Sequence, residues 1–111
     1  MPHIVIEHSD KTTDAMADTC QAVFDAACGC ETFPVPANVK VRSRLCAHHT
    51  GGTGDDFVHV TVRMLPGRTD ALKQEVSAAI LATLETQFPT TASLTVEIVE
   101  MHAASYAKRY L

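Results

Sequence analysis

FVHVTVRM (residues 57–64), TDALKQEVSAAILATLETQF (69–88) and LTVEIVEM (94–101) read as one strand–helix–strand unit in a chain of 111 residues. In the first stretch Val58, Val60, Val62 and Met64 alternate with His59, Thr61 and Arg63. That is the period of a half-buried strand. In the second, Leu72, Val76, Ile80, Leu84 and Phe88, widened by Ala79, make a helical stripe suited to packing on a sheet. Thr69 can cap this helix and Pro89 stops it, while Pro66-Gly67 punctuates the strand before it. In the third, Leu94, Val96 and Ile98 point inward.

The N-terminal half repeats the order. Pro2 to His8 alternates and is rich in β-branched residues, which predicts a strand opened by a proline where no ladder donor is needed. Thr12 to Cys28 predicts a helix, with Met16, Cys20, Val23, Phe24 and Ala27 at helical spacing, Asp14 in the first turn and Gly29 as the stop. Phe33-Pro34-Val35-Pro36 is a stiff connector. Val39 to Cys46 predicts a strand with Val39, Val41, Ser43 and Leu45 on one face and Lys40, Arg42, Arg44 and Cys46 on the other. Gly51-Gly52-Thr53-Gly54 lacks the Lys-Ser/Thr ending of a phosphate loop and reads as a hairpin turn. His102 to Leu111 is a polar tail with two tyrosines.

One domain over residues 1–111 is expected, with halves at about 1–50 and 55–103 followed by the tail. The half-chain spacing suggests an internal duplication. Two architectures share this element order: strands of each half parallel and adjacent, or strands interleaved as in the ferredoxin-like split arrangement. Periodicity does not separate them.

Composition narrows the function. A net charge of −4 offers no basic footprint for nucleic acid or an anionic membrane. Apolar runs fall short of a membrane span, and the N-terminus has no basic region of the secretory kind. The four cysteines therefore read as thiols in a reducing cytoplasm. Six histidines are many for this length, but no helical i, i+4 pair and no Cys/His cluster has zinc spacing. Neither a metal nor a cofactor is expected.

Pro2 is the most informative residue. Removal of Met1 would leave proline with a free secondary α-amine. An ordinary α-amine titrates at roughly 7.7–8.0. Burial and nearby cations lower that value, which would leave a general base at neutral pH. Arg42 and Arg44 project from one strand face and suit bidentate capture of carboxylates or stabilisation of a developing enolate oxygen. A solvated or inter-subunit salt-bridge face explains the same pair. Arg63 and Arg68 are further candidates.

Met1 to Glu7 followed by Ser9-Asp10 resembles the start of 5-carboxymethyl-2-hydroxymuconate isomerases, members of the tautomerase superfamily. Phe33-Pro34, Val41-Arg42-Ser43-Arg44, Phe57 to Thr61, Gly67-Arg68, and Glu97-Ile98 with Glu100 and His102 continue the resemblance in order. The loop Ala47 to Asp56 and the tail after His102 depart from it. The resemblance implies an α/β fold of tandem β-α-β units, with a four-stranded sheet and two helices on one face. It also implies a homotrimer whose subunits share active sites. Its catalytic proline maps onto Pro2, and its arginine-bearing second strand maps onto Arg42 and Arg44. The activity implied is keto–enol isomerisation of an unsaturated 2-hydroxy acid of the 5-carboxymethyl-2-hydroxymuconate type, in aromatic catabolism. The alternatives are another tautomerase, dehalogenase or decarboxylase of the superfamily, or a non-catalytic ferredoxin-like binding module.

Overall fold

The computed structural model describes residues 2–52 and 54–111; Met1 and Thr53 lie outside them. Four strands alternate with two long helices: β1 (His3–His8), α1 (Met16–Cys28), β2 (Lys40–Leu45), β3 (Phe57–Met64), α2 (Asp70–Gln87) and β4 (Ser93–Glu100). Short 3-10 turns cover Asp10–Ala15, Pro36–Asn38 and Ala103–Ser105.

The sheet order is β2-β1-β3-β4. β1 and β2 are parallel, with Ile4 opposite Val41. β3 and β4 are parallel, with Val60 opposite Val96. β1 meets β3 antiparallel, with Ile6 opposite Val60. Each half therefore keeps its two strands side by side, and the halves join along one antiparallel seam. Of the two architectures open at the sequence level, the interleaved one is excluded.

Both helices lie against one face of the sheet and against each other. Ile4, Ile6, Val58, Val60 and Val62 from the inner strands meet Val23 of α1 and Val76, Ile80 and Leu84 of α2, all fully buried. Each such side chain contributes roughly 1.5–3 kcal/mol by leaving water. Thr69 accepts a hydrogen bond from the Leu72 backbone N–H at 3.2 Å, the expected cap of α2.

Two expectations need correction. First, the Gly-rich stretch does not close a hairpin. β1 lies between β2 and β3, and its backbone groups are engaged by both. The segment after β2 instead crosses the end of β1, where the Cys46 N–H bonds His8 O at 2.9 Å and the Ser9 N–H bonds Phe57 O at 3.1 Å. Gly51 and Gly52 supply positive φ along the way, 103° and 92°.

Second, α1 begins at Met16 rather than Thr12. Thr12 is buried, and its hydroxyl donates to Ser9 O at 2.9 Å and lies 3.0 Å from Nδ1 of buried His8. Those bonds tighten residues 10–15 into a 3-10 path, as short polar side chains do when they compete for backbone partners. Leu45, on the same face as Val39 and Val41, is 47% exposed, because β2 is an edge strand and α1 packs near its start.

Among the described residues no helix is long and apolar enough to cross a membrane.

Candidate active site

Pro2 occupies the position just before β1, and its carbonyl accepts the Lys40 N–H at 3.2 Å, which extends the parallel ladder by one bond. Its ring is fully buried. It forms part of the wall of a cavity of about 180 Å³, with Thr32, Phe33, Pro34, Val35, Asn38 and Arg68. The stiff connector thus becomes the apolar wall of this cavity. Phe33 is buried in the core, and Pro36 opens the 3-10 turn that carries Asn38.

Arg68 supplies the charge. Gly67 precedes it with φ 120°, a conformation a side-chain-bearing residue rarely adopts. That turn delivers Arg68 to the cavity immediately before the Thr69 cap, and its Nη1 donates to Leu65 O at 3.5 Å. An arginine and a buried proline ring lining one cavity make it suited to a small organic anion. Of four larger clefts, two, of about 480 and 580 Å³, are lined by one carboxylate each, Glu85 and Asp25, and by no cation, whereas two others, of about 410 and 200 Å³, are lined by Lys40 and by Lys73 beside Asp70. The first two offer an acidic ligand nothing, and neither of the other two includes Pro2.

The two arginines of β2 stand on the sheet face away from the helices. Arg42 is opposite Val5 in the register, and its Nη1 donates to His3 Nδ1 at 3.3 Å. It is thus linked to the residue next to Pro2 without lining the Pro2 cavity. Arg44 is opposite Glu7, five residues past Pro2, or roughly 16 Å along the strand at about 3.3 Å per residue. Within one chain Arg44 is too far along β2 to share the Pro2 cavity. Arg63 is opposite His3 and exposed on the same open face.

The surroundings of His3 are cationic. Burial, then Arg42 and Lys40, with the amino terminus and Arg63 adding, hold its imidazole below the ordinary histidine range. Tyr106 reaches back from the tail to within 2.9 Å of its Nε2. Neither His3 nor Tyr106 stood out in the sequence as a site residue, since 103 positions separate them. Elsewhere, burial pushes the thiols of Cys28 and Cys30 up, with Asp25 and Glu75 adding to the effect, so both stay protonated at neutral pH. Among the described residues no three His, Cys, Asp or Glu side chains stand together as metal ligands.

The family model for 5-carboxymethyl-2-hydroxymuconate isomerase matches residues 2–110, nearly the whole chain. The chain belongs to that family. It is therefore an isomerase of the tautomerase kind. A 5-carboxymethyl-2-hydroxymuconate isomerase from Deinococcus radiodurans R1 shares its fold with a TM-score of 0.84 at 19% identity, over 97% of this chain and 88% of that one. A 5-carboxymethyl-2-hydroxymuconate delta-isomerase gives 0.81 at 19% identity, over 99% and 88%. A fused wild-type 4-OT described as a symmetric trimer gives 0.74 at 17% identity, over 89% and 85%. At these identities the structural likeness speaks for the fold. No curated protein matches the chain in sequence.

Proposed function

We propose that this isomerase converts an unsaturated 2-hydroxy acid of the 5-carboxymethyl-2-hydroxymuconate type into its 2-oxo isomer, with the Pro2 nitrogen as general base. The burial of Pro2 in a cavity that also holds the Arg68 guanidinium carries this reading. Met1 lies outside the described residues, and its removal is part of the proposal. With it gone, the Pro2 nitrogen is a secondary amine. Burial and neighbouring cations both favour its neutral form.

In the proposed reaction the amine takes the proton of the 2-hydroxyl as the C2–O bond becomes a carbonyl. The electron pairs shift along the diene, and the proton returns to C3 or C5. Atoms and electrons balance within the substrate, so the step needs no redox partner. Arg68 would hold one carboxylate, and Arg42 a second carboxylate or the developing 2-oxo group. Arg44 enters through assembly. Lys40, Arg42 and Arg44 make one sheet edge basic while Glu97 lies on the opposite edge strand, a complementarity that supports head-to-tail packing of copies. The trimer described for a solved relative supports the same arrangement, a homotrimer with shared sites. The reading places the enzyme in a reducing cytoplasm, in keeping with four unpaired thiols.

The test is loss of dienol absorbance on adding 5-carboxymethyl-2-hydroxymuconate, alongside the intact mass of the purified chain. Turnover is expected from protein lacking Met1, with kcat/KM rising with pH as the amine loses its proton. Acetylation of the terminus should lower the rate by about 10²–10⁴-fold, the usual contribution of a general base. Full activity in protein that retains Met1 would overturn the proline base. Turnover of phenylpyruvate with none of the muconate would move the substrate assignment and leave the base in place.

A further inference from the structure

Arg42 lies on the open sheet face, whereas Pro2 belongs to the cavity at the end of β1. A long, mobile guanidinium there needs something to hold it at the Pro2 end of its strand. Arginine can only donate. The His3 Nδ1 that faces Arg42 Nη1 at 3.3 Å must therefore carry its lone pair, which places the ring proton on Nε2. The Nε2–H then donates to the Tyr106 hydroxyl at 2.9 Å, and the two rings meet edge-on with centroids 6.0 Å apart. The tail that supplies Tyr106 is anchored again at Tyr110, over whose ring Lys40 Nζ lies 4.9 Å from the centroid.

We infer that His3 is a positioning residue: Arg42 at Nδ1 selects its Nε2–H tautomer, Tyr106 supports it by accepting from Nε2–H, and the Nδ1 lone pair parks Arg42 at the Pro2 end of the sheet. This rests on the reading that Arg42 serves the Pro2 site. At 3.3 Å the Arg42 bond is a long one, so a substrate carboxylate with two oxygens can displace it. The groups facing His3 are Lys40 and Arg42 from β2, the amino terminus beside β1, Arg63 from β3 and Tyr106 from the tail. Burial comes first, and the four charges, all positive, add to it in favouring the neutral ring. As pH falls through the His3 pKa, below the ordinary 6.5, Nδ1 gains a proton. Arg42 then loses its acceptor and faces a new cation. On the acid side kcat/KM should therefore fall with two protons, one on the Pro2 amine and one on His3.

Ring ¹⁵N spectra of the unmodified protein at neutral pH test the tautomer directly. The Nε2–H form is expected, with a shift toward Nδ1–H in Tyr106→Phe. An Nδ1–H ring in the unmodified protein overturns the inference. Kinetics test the consequence. Asparagine places its carbonyl oxygen near the Nδ1 position, whereas glutamine reaches the Nε2 position. His3→Gln should lower kcat/KM by roughly tenfold, the scale of one hydrogen bond to a charged group. His3→Asn should recover most of that loss and show an acid limb with a single proton. Equal losses in both variants, or an unaltered limb in His3→Asn, overturn the positioning role. If Arg42→Ala itself leaves kcat/KM intact, it is the reading of the site that fails. If Arg42→Ala lowers kcat/KM and His3→Gln does not, the inference alone fails.

Discussion

The two faces of one sheet behave as different materials. On the covered face Ile4, Ile6, Val58, Val60 and Val62 are sealed beneath the helices at zero exposure. On the open face the ionisable residues are His3, Glu7, Arg42, Arg44, His59, Arg63 and Glu97, with Val5 and Thr61 among them on the two inner strands. Because side chains alternate along a strand, one backbone delivers cohesion to one side and ionisable chemistry to the other. Pro2 precedes β1 where the two sides meet, its ring buried and its neighbour His3 turned to the charged face. The sequence of β1 thus combines a structural and a chemical role within seven residues.

That contrast can be broken or sharpened by substitution. The largest effect on stability belongs to the covered face. Ile6→Ala removes a fully buried side chain next to the antiparallel seam and should cost about 2–5 kcal/mol, read as a lower urea midpoint. A loss under 1 kcal/mol would mean that the core beneath the helices collapses easily. Next comes Thr69→Ala, which removes the cap of α2 and should cost about 1 kcal/mol by the same measurement. Since Thr69 follows Arg68, this variant also asks whether fraying of α2 loosens the cavity, in which case KM should rise while kcat holds.

The smallest effect belongs to the open face. His59 Nε2 lies 2.6 Å from Glu97 Oε2 and its Nδ1 lies 2.6 Å from the Thr95 hydroxyl. Glu97 is half-exposed, so Glu97→Gln should cost well under about 1 kcal/mol in the isolated chain, and less in high salt. A loss several times larger that depends on protein concentration would show that a neighbouring copy covers this face.

Much of the fold was readable from spacing. The strands near Pro2–His8 and Phe57–Met64 and the stripe of α2 follow from periods of two and 3.6 with recognisable caps and stops. The reading went astray where non-local partners intervened. Residues 10–15 look helical in isolation, yet Thr12 finds His8 and Ser9. Parity places Leu45 with Val39 and Val41 without saying that α1 no longer reaches it. The glycines signal a turn without saying which strands it separates.

The candidate site was legible in part for the same reason. Pro2 is conspicuous because its chemistry depends on a chain end, and Arg42 because its strand repeats a charged residue every second position. Arg68 was only a further candidate in the sequence, and its place on the wall of the Pro2 cavity, after the turn at Gly67, came from the fold. The link from Arg42 through His3 to Tyr106 joins β2, β1 and the tail, and no local pattern announces such a contact.

The sequence alone determined which residues face inward, where the helices begin and end to within a few residues, and which amine and guanidinium groups were worth watching. Those are properties of short stretches, set by backbone period, rotamer freedom and capping. Strand order, the parallel pairing within each half, the antiparallel seam between the halves and the company kept by Pro2 were decided only by the folded chain. Hydrophobic patterning specifies a face but carries no address for its neighbour, and that choice is made by packing two helices and four strands at once.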